Sequence, residues 1–556
     1  MAKDRLFYLP LGGAGEVGMN CYVYGYGEPG RERLVVVDLG VTFPDMDTTP
    51  GVDLILPDIA WLEERRDRID GIFVTHAHED HVGAVGHLYD RLGAPIYARA
   101  FTSIHARRKM EEQGHNPDKV QTVKPWPKSI RTGPFEIGFL PVSHSIPESS
   151  ALVIDTPAGR VIHTGDFKID YAPGVGEPFD RELWASVSAG GVRALVCDST
   201  NVFNAHEGRS ESTVGPEIRR FVSEQPGMVV ATSFASNVAR VRTLAMAGVE
   251  AGRSVCLLGR AMRRMIESAV EAGVLNDFPA TIPPEDAANV PRESLMLIVT
   301  GSQGERRAAS AQLSRGKYLG LSVDEGDTFL FSSKTIPGNE RGVISIVNAF
   351  SEKGVDVQDD DGGRYHVSGH ANRPDLVSMH ELVNPEIVVP MHGEHPHLRE
   401  HVKLARSGGR EAVLAPNGTC VSLSGTRPEA IDYVETGRTY LDGTVQVGAM
   451  DGVVRDRIRM ALNGHAVVSL IIDEDDAPLG EPWVDLKGLP ETGRSGAALA
   501  EVMEQDLDQA LGRADDKVIL DDTKLDELMR RVARQTAFQE IGRKPEVTVV
   551  VSRLSS

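Results

Sequence analysis

A chain of 556 residues is too long for a single hydrophobic core and predicts two to four domains. With 41% hydrophobic and 25% charged residues it has the composition of a globular protein, and no run of about 18 apolar residues offers a membrane span. The net charge of −21 argues against a partner held by overall basicity, although net charge does not describe a local groove.

The chain starts "MAKDRLFYLPLGGAGEVG", with no charged segment leading into a long apolar one, so no secretory leader and a cytoplasmic location are expected. To about residue 211, short β-rich runs end in polar loops: "RLVVVDLG", "GIFVTHAHEDH", "GFLPVSHS", "RVIHTGDF" and "ALVCDSTN". Potentially reactive residues stand at or just past the end of each run, where a sheet presents side chains to a cleft. Over 212–345 the rhythm becomes alternating strand and helix: "GMVVATSF", "ASNVARVRTLAMAGVEAG", "SVCLLG", "RAMRRMIESAVEAG", "SLMLIVTGSQGE". That alternation predicts a parallel sheet flanked by helices, inserted into the first unit. The strand-and-loop style returns over 346–446 with "RYHVSGHANRPD" and "PEIVVPMHGEHPH". A linker is expected over 447–465. Residues 466–556 then read as a small α+β domain suited to self-association, with two amphipathic helices between "AVVSLIIDEDD" and "PEVTVVVSRL".

The four cysteines (Cys21, Cys197, Cys256, Cys420) are far apart and show no CxxC pairing, so buried free thiols are expected. The basic groups "HARRKM" (105–110), "EIRRF" (217–221), "GRAMRRM" (259–265) and "GERR" (304–307) read first as solvated helix faces.

The densest chemistry is "VTHAHEDHVGAV", residues 74–85. His76-x-His78 after a strand turns two imidazoles to one side, and Asp80 and His81 project from the following turn. Imidazole with carboxylate suits zinc or manganese, and without cysteine it does not suit a structural zinc site. Four residues cannot satisfy two ions. Further candidates stand at other strand ends: His144 in "PVSHSIP", Asp166 in "HTGDF" and His392 in "VVPMHGEH".

"THAHEDHVGA", "SHSIPES", "HTGDFK" and "PMHGE" together resemble the metallo-β-lactamase superfamily of binuclear hydrolases. The inserted region, with "SFASNVAR" inside it and "HVSGHA" after it, is similar to the β-CASP branch, whose members act on nucleic acids. "GGAGEVGMN", "VDLGVTFPD" and "SKTIPGNE" narrow the resemblance to the bacterial ribonuclease J family. It implies an α/β fold: a metallo-β-lactamase αββα sandwich, an inserted β-CASP α/β domain and a small C-terminal α+β domain.

The resemblance also implies two divalent metal ions, zinc or manganese. It places His76, His78 and His144 on one, Asp80, His81 and His392 on the other, and Asp166 between them. Glu79 is expected to support a ligand, and Asp38 and His163 either to orient ligand imidazoles or to serve a plain structural role. A hydroxide bridging the ions, oriented by Asp80 or Asp166, would attack the scissile phosphorus. His370 is implied to stabilise the scissile phosphate or protonate the leaving oxygen. His366, Ser368, Gly369 and His370, with Ser233, Ser236 and Asn237 at a strand-to-helix turn, resemble a pocket for a 5′-monophosphate. Such a pocket gives 5′-to-3′ exonuclease cleavage, and an internal access route permits endonuclease cuts as well. Single-stranded RNA is the expected partner, with Arg260, Arg263 and Arg264 on phosphates and Phe43 as a stacking face. The resemblance further implies a homodimer or homotetramer and an additional calcium ion near Asp53 or Asp442. Rival readings are a small-molecule metallo-hydrolase of lactonase or thioesterase type and a DNA-directed β-CASP nuclease. A non-enzymatic scaffold is disfavoured, because all seven expected ligands are present.

Overall fold

The computed structural model describes residues 4–425 and 427–554, and the side chain of residue 361 is not among those described. Among the described residues, two large sheets form the frame. One has the strand order Glu429–Tyr433, Thr419–Ser422, Arg5–Gly12, Cys21–Gly27, Arg33–Val37, Ile69–Phe73, Ile96–Ala98, Val120–Thr122. The other runs Glu411–Ala412, Ile387–Met391, Ala194–Asp198, Gly159–His163, Ser150–Thr156, Phe135–Pro141, Ser129–Thr132. Alternating apolar side chains from both sheets, among them Tyr8, Val35, Phe73, Phe139, Leu152, Val196 and Val389, close into one buried layer. The outer face of the second sheet is covered by helices Arg181–Ser188 and Arg373–Val383 through Trp184, Val187, Leu376 and Met379. Helix Ala100–Glu112 packs on the strands Ile96–Ala98 and Val120–Thr122 of the first sheet. This is the expected αββα sandwich.

The insertion is a parallel five-stranded sheet, ordered Ser254–Leu258, Leu295–Val299, Val229–Thr232, Thr328–Phe331, Asp356–Gln358. Its strands are apolar on both faces because helices cover both, with Val238, Val241 and Leu244 on one side and Ile346 and Phe350 on the other. The edge strand Asp356–Gln358 and the helix Glu340–Ser351 before it carry this domain past the expected boundary at 345. The amphipathic helix pattern there continues the strand-helix rhythm, and the sheet pairs with whatever strand follows.

By contact the chain divides into two compact units. One holds Leu56–Arg438 with the chain up to Thr42, and the other holds Phe43–Ile55 with the chain from Thr439 onward. The second contains a three-stranded sheet of Trp483–Lys487, His465–Ile472 and Glu546–Arg553. Helices Leu499–Leu511 and Asp522–Ile541 close its core through Met503, Leu507, Leu525 and Met529. The expected linker is instead largely a helix, Val453–Asn463. "VVRDRIRMALN" contains no helix breaker and is bounded by Gly452 and Gly464, both at positive φ, so the glycines punctuate a helix rather than a spacer.

All four cysteines are buried and free, as expected. Much of the "HARRKM" cluster is used in packing: Arg108 donates to Ser268 Oγ at 2.8 Å and Lys109 pairs with Glu79 at 2.8 Å. His105 lies against Phe101 with ring centroids 4.8 Å apart and its Nε2 without a partner, and burial pushes its pKa down to about 4. A histidine depressed below its unfolded value near 6.5 contributes stability above that pH and loses it as pH falls toward the folded value. The loss is about 3 kcal/mol at most from this residue. His105→Leu is therefore expected to narrow the drop in stability between pH 7.5 and 5, read by urea denaturation at both. An equal drop in the two proteins would refute the assignment.

Candidate metal centre

Strands Phe135–Pro141, Gly159–His163, Ala194–Asp198 and Ile387–Met391 run in the same direction, so their C-terminal ends meet along one edge of the second sheet. His144, Asp166, Asp198 and His392 stand at or just beyond those ends. From the first sheet, strand Ile69–Phe73 delivers His76 and His78, the latter still extended at φ −69° and ψ 147°, and the one-turn helix Glu79–Val82 delivers Asp80 and His81. The seven expected residues form two groups, His76–His78–His144–Asp166 and Asp80–His81–His392–Asp166, with ligand atoms within 4.8 Å of one another in each. Asp166 belongs to both.

Hydrogen bonds set which ring nitrogen faces inward. His76 Nδ1 meets Thr75 Oγ1 at 3.0 Å, and that hydroxyl donates to Asp38 Oδ2 at 2.9 Å. His144 Nδ1 donates to the Gly369 carbonyl at 2.6 Å, and His81 Nδ1 to Asp38 Oδ2 at 2.7 Å. His392 Nδ1 donates to Asn20 Oδ1 at 2.9 Å. Each of these four rings therefore carries its proton outward and turns a bare Nε2 lone pair toward the cluster. His78 is reversed: its Nδ1 lies 3.1 Å from His76 Nε2 and 3.2 Å from His144 Nε2, while its Nε2 meets Ser236 Oγ at 3.1 Å.

Lone pairs this close repel unless a cation sits among them. Burial pushes His76 and His144 well below the usual imidazole range and His78 down to about 4, which keeps them neutral as ligands must be. In the second group burial opposes charge, yet Asp166, Asp80 and Asp38 raise His81, so the carboxylates draw positive charge to this point. Although burial also opposes its own charge, His392 and His81 hold Asp166 well below the carboxylate range. Asp166 Oδ2 lies 3.2 Å from His81 Nε2, 3.4 Å from His392 Nε2 and 3.8 Å from His76 Nε2, while its buried Oδ1 has no hydrogen-bond partner. A carboxylate whose Oδ2 faces both sets of inward lone pairs and whose Oδ1 has no hydrogen-bond partner fits a pair of divalent cations.

Two close approaches need glycine. A Cβ on Gly40 would meet the Asp80 carbonyl oxygen at 1.6 Å, so "VDLG" can pass beneath the ligand turn only as glycine. A Cβ on Gly369 would meet Ser145 Oγ at 2.7 Å and His144 Cε1 at 2.9 Å.

Other expected roles divide. Asp38 orients His81, as expected, but His163 bonds the Tyr24 hydroxyl at 2.9 Å instead of a ligand imidazole. Glu79, half-buried, pairs with Lys109 at 2.8 Å, and its carboxylate is turned to that lysine rather than to a ligand side chain. His370 Nδ1 donates to Asp198 Oδ2 at 2.8 Å, and its ring lies 5.0 Å from that of His144 and 5.6 Å from that of His392. Ser368 Oγ accepts from Asn201 Nδ2 at 2.8 Å and from the His370 amide at 3.1 Å. Ser233 donates its hydroxyl to the Ser332 carbonyl, and Asn237 caps helix Val238–Glu250 through Arg240 N, so both serve the fold directly. His366 keeps a buried Nδ1 without a partner; burial first, then Arg240, Lys168, Lys334 and Arg209, push it down to about 3. Arg260, Arg263 and Arg264 are exposed on helix Arg260–Glu271, and Phe43 is exposed in the other unit. Asp53 accepts from the Gly443 amide at 2.8 Å and Asp442 from Arg457 at 2.6 Å.

Two important residues escaped the sequence reading. Asn20 accepts from His392 and donates to Asp80 O at 2.9 Å and Asp80 Oδ2 at 3.2 Å, with Tyr22 OH donating to its Oδ1 at 2.7 Å. Asp198 anchors His370. The only sequence signal for Asn20 was its place at the end of "GGAGEVGMN". Asn20→Ala is expected to weaken metal retention by about 10- to 100-fold, read by competition with a chelator. Unchanged retention would show that Asn20 does not organise the ligands.

Comparison with known proteins agrees with this geometry. The description "Metallo-beta-lactamase superfamily" matches residues 14–195, "Ribonuclease J, beta-CASP domain" residues 226–350, "Zn-dependent metallo-hydrolase RNA specificity domain" residues 364–416, and "Ribonuclease J C-terminal domain" residues 452–554. Ribonuclease J of Sinorhizobium meliloti is 40% identical over 100% of this chain and 98% of its own length. The chain belongs to the ribonuclease J family. The family's protein from Mycolicibacterium smegmatis is 35% identical over 99% of this chain and 98% of its own, and that from Helicobacter pylori is 30% identical over 98% and 79%. A solved structure from Enterococcus faecalis, of a protein of unknown function, has a TM-score of 0.51 at 15% identity over 75% of this chain and 100% of that one, a likeness of fold alone.

Proposed function

We propose that this ribonuclease J family member is a metal-dependent ribonuclease that degrades single-stranded RNA from a 5′-monophosphate end in the 5′-to-3′ direction. The convergence of the seven ligands on a shared, half-unpartnered Asp166, with His370 beside them, carries this reading. His76, His78 and His144 hold one divalent ion and Asp80, His81 and His392 the other, with Asp166 between them. Zinc or manganese suits the donors. Such ions, when bound, generate a nucleophile from water near neutral pH and offset the charge that builds on the phosphate. Asp80 and Asp166 accept hydrogen bonds from the attacking water and orient it. His370, gripped through Nδ1 by Asp198, presents its other nitrogen to the leaving oxygen as a proton donor.

The 5′-phosphate is received near Ser236, His366 and Ser368. Four cations that act on His366 make that region favourable for an anion. Arg260, Arg263 and Arg264 contact the RNA backbone farther out. Self-association uses the open face of the C-terminal sheet, where Ile471, Trp483 and Val550 are exposed and Trp483, Ser469 and Val550 stand in one cross-strand row. Among the described residues no helix is long and apolar enough to cross a membrane.

A 3′-labelled single-stranded RNA with a 5′-monophosphate or 5′-triphosphate, beside DNA of the same sequence, tests the reading. Stepwise loss from the 5′ end, faster for the monophosphate and absent in His76→Ala, is expected. Cleavage of the DNA in preference would instead support the DNA-directed reading. No cleavage of RNA with zinc, manganese or magnesium would overturn the ribonuclease and return a small-molecule hydrolase to first place.

A further inference from the structure

Three more ligating side chains meet inside the first unit, apart from the centre described above. Cys197 is the last residue but one of strand Ala194–Asp198, His380 lies on helix Arg373–Val383 and His401 on helix His395–Ser407. All three are buried, and their Sγ and ring nitrogens lie within 4.8 Å of one another. Around them the layer is apolar: Leu195, Leu376, Met379, Val383 and Leu404. A polar cluster in such a layer is costly unless its members satisfy one another.

His380 Nε2 and His401 Nε2 are 3.0 Å apart, with the rings within 16° of parallel. Ser199 Oγ lies 3.4 Å from the Cys197 carbonyl and 2.9 Å from His401 Nδ1. A hydroxyl that donates to the carbonyl accepts the Nδ1 proton, which leaves His401 Nε2 as a lone pair aimed at His380. This is the arrangement seen at the binuclear centre, where an outward acceptor sets an inward lone pair. Burial disfavours a charged proton on either ring, with His401 pushed down to about 4 and His380 well below the usual range. A single N–H···N bond would satisfy the two histidines, and the Cys197 thiol, hydrogen-bonded to Thr164, adjoins that pair.

We propose that Cys197, His380 and His401 form a third metal site, for a d10 ion that accepts one thiolate and two imidazoles. Zinc and monovalent copper share that preference, and the site's soft sulfur separates it from the oxygen-rich binuclear centre. As the metal–sulfur bond forms, the thiol S–H bond breaks and one proton leaves to solvent; any proton on His380 Nε2 moves to Nδ1. The bound ion ties two helices to the strand whose last residue, Asp198, holds His370. It acts as a staple and takes no part in catalysis.

The test uses the full chain, stripped of metal and reloaded with cobalt(II), and reads near-ultraviolet absorption. A sulfur-to-cobalt charge-transfer band needs a thiolate ligand. None of the seven centre residues is cysteine, and among the described residues Cys21, Cys256 and Cys420 belong to no ligating group. The band is expected in the wild type and in His76→Ala, and is expected to vanish in Cys197→Ser and in His380→Gln, each with the loss of one metal equivalent. His380→Gln keeps the thiol, so it decides the matter should Cys197→Ser fold poorly. Anaerobic titration against a chromophoric cuprous chelator separates the two ions: retention of one cuprous equivalent assigns copper, and zinc retention without it assigns zinc. Absence of the band together with no cuprous retention would overturn the site and leave a plain histidine pair, as would a band that survives Cys197→Ser. None of these readouts depends on RNA cleavage.

Discussion

Asp166→Asn is expected to lower RNA cleavage by about 10³-fold, the scale on which loss of a principal electrostatic stabiliser acts. Asparagine has the same shape but no charge. Its NH2 group would face ring lone pairs that the carboxylate now meets at 3.2–3.9 Å. Both sets of ligands lose their common member at once, so metal content should fall in parallel with activity. Because Asp166 Oδ1 supports no neighbour by hydrogen bonding, the fold should survive, as circular dichroism would show. Mass-spectrometric metal analysis beside a cleavage assay on 5′-monophosphorylated RNA checks the prediction. Undiminished metal content with undiminished cleavage would remove Asp166 from the centre.

His370→Ala is expected to lower the rate by about 10²- to 10⁴-fold, the range for a positioned general acid, while metal content stays unchanged. The contrast with Asp166→Asn separates a proton donor from a ligand. Burial alone would lower the pKa of His370, but Asp198 and then Asp166 and Asp80 raise it to about 9. Cations at the centre would offset the charge of Asp166 and Asp80, which would leave Asp198 as the persistent cause. A group that must be protonated to act loses activity as pH rises through its pKa. Asp198→Asn removes the raising charge, so the alkaline fall in rate should begin at lower pH than in the wild type. An alkaline limb unmoved by Asp198→Asn would mean that His370 is not the titrating acid.

Where the sequence reading failed, the failures have physical causes. The break at 345 came from a return to strand-and-loop style, yet a parallel sheet recruits its edge strand by pairing, and Asp356–Gln358 pairs with Thr328–Phe331. The stretch expected as a linker over 447–465 holds the helix Val453–Asn463, which Gly452 and Gly464 bound. Glu79 sits beside ligands in the chain, but neighbours in sequence project differently at a helical turn, and of the two roles open to His163 the structure shows the structural one. His163 turns into the tyrosine layer and Glu79 outward to Lys109.

What the sequence by itself determined was chemistry of short range and clear period. The β-α alternation of 229–299, the amphipathic helices of the C-terminal domain and the compact His76–His81 cluster are all local patterns, set by side-chain spacing on a strand, helix or turn. His144, Asp166 and His392 were legible as residue types that recur just past apolar runs. Only the tertiary structure shows them brought together with the His76–His81 cluster in two groups and sets how each ring is turned. Asn20 grips His392 across 372 positions, His144 donates to Gly369 across 225 and Asp198 anchors His370 across 172. Contacts of that separation leave no period in the chain. They exist because strands running the same way bring distant C-terminal ends to one edge, where hydrogen bonds between loops choose the face each imidazole presents.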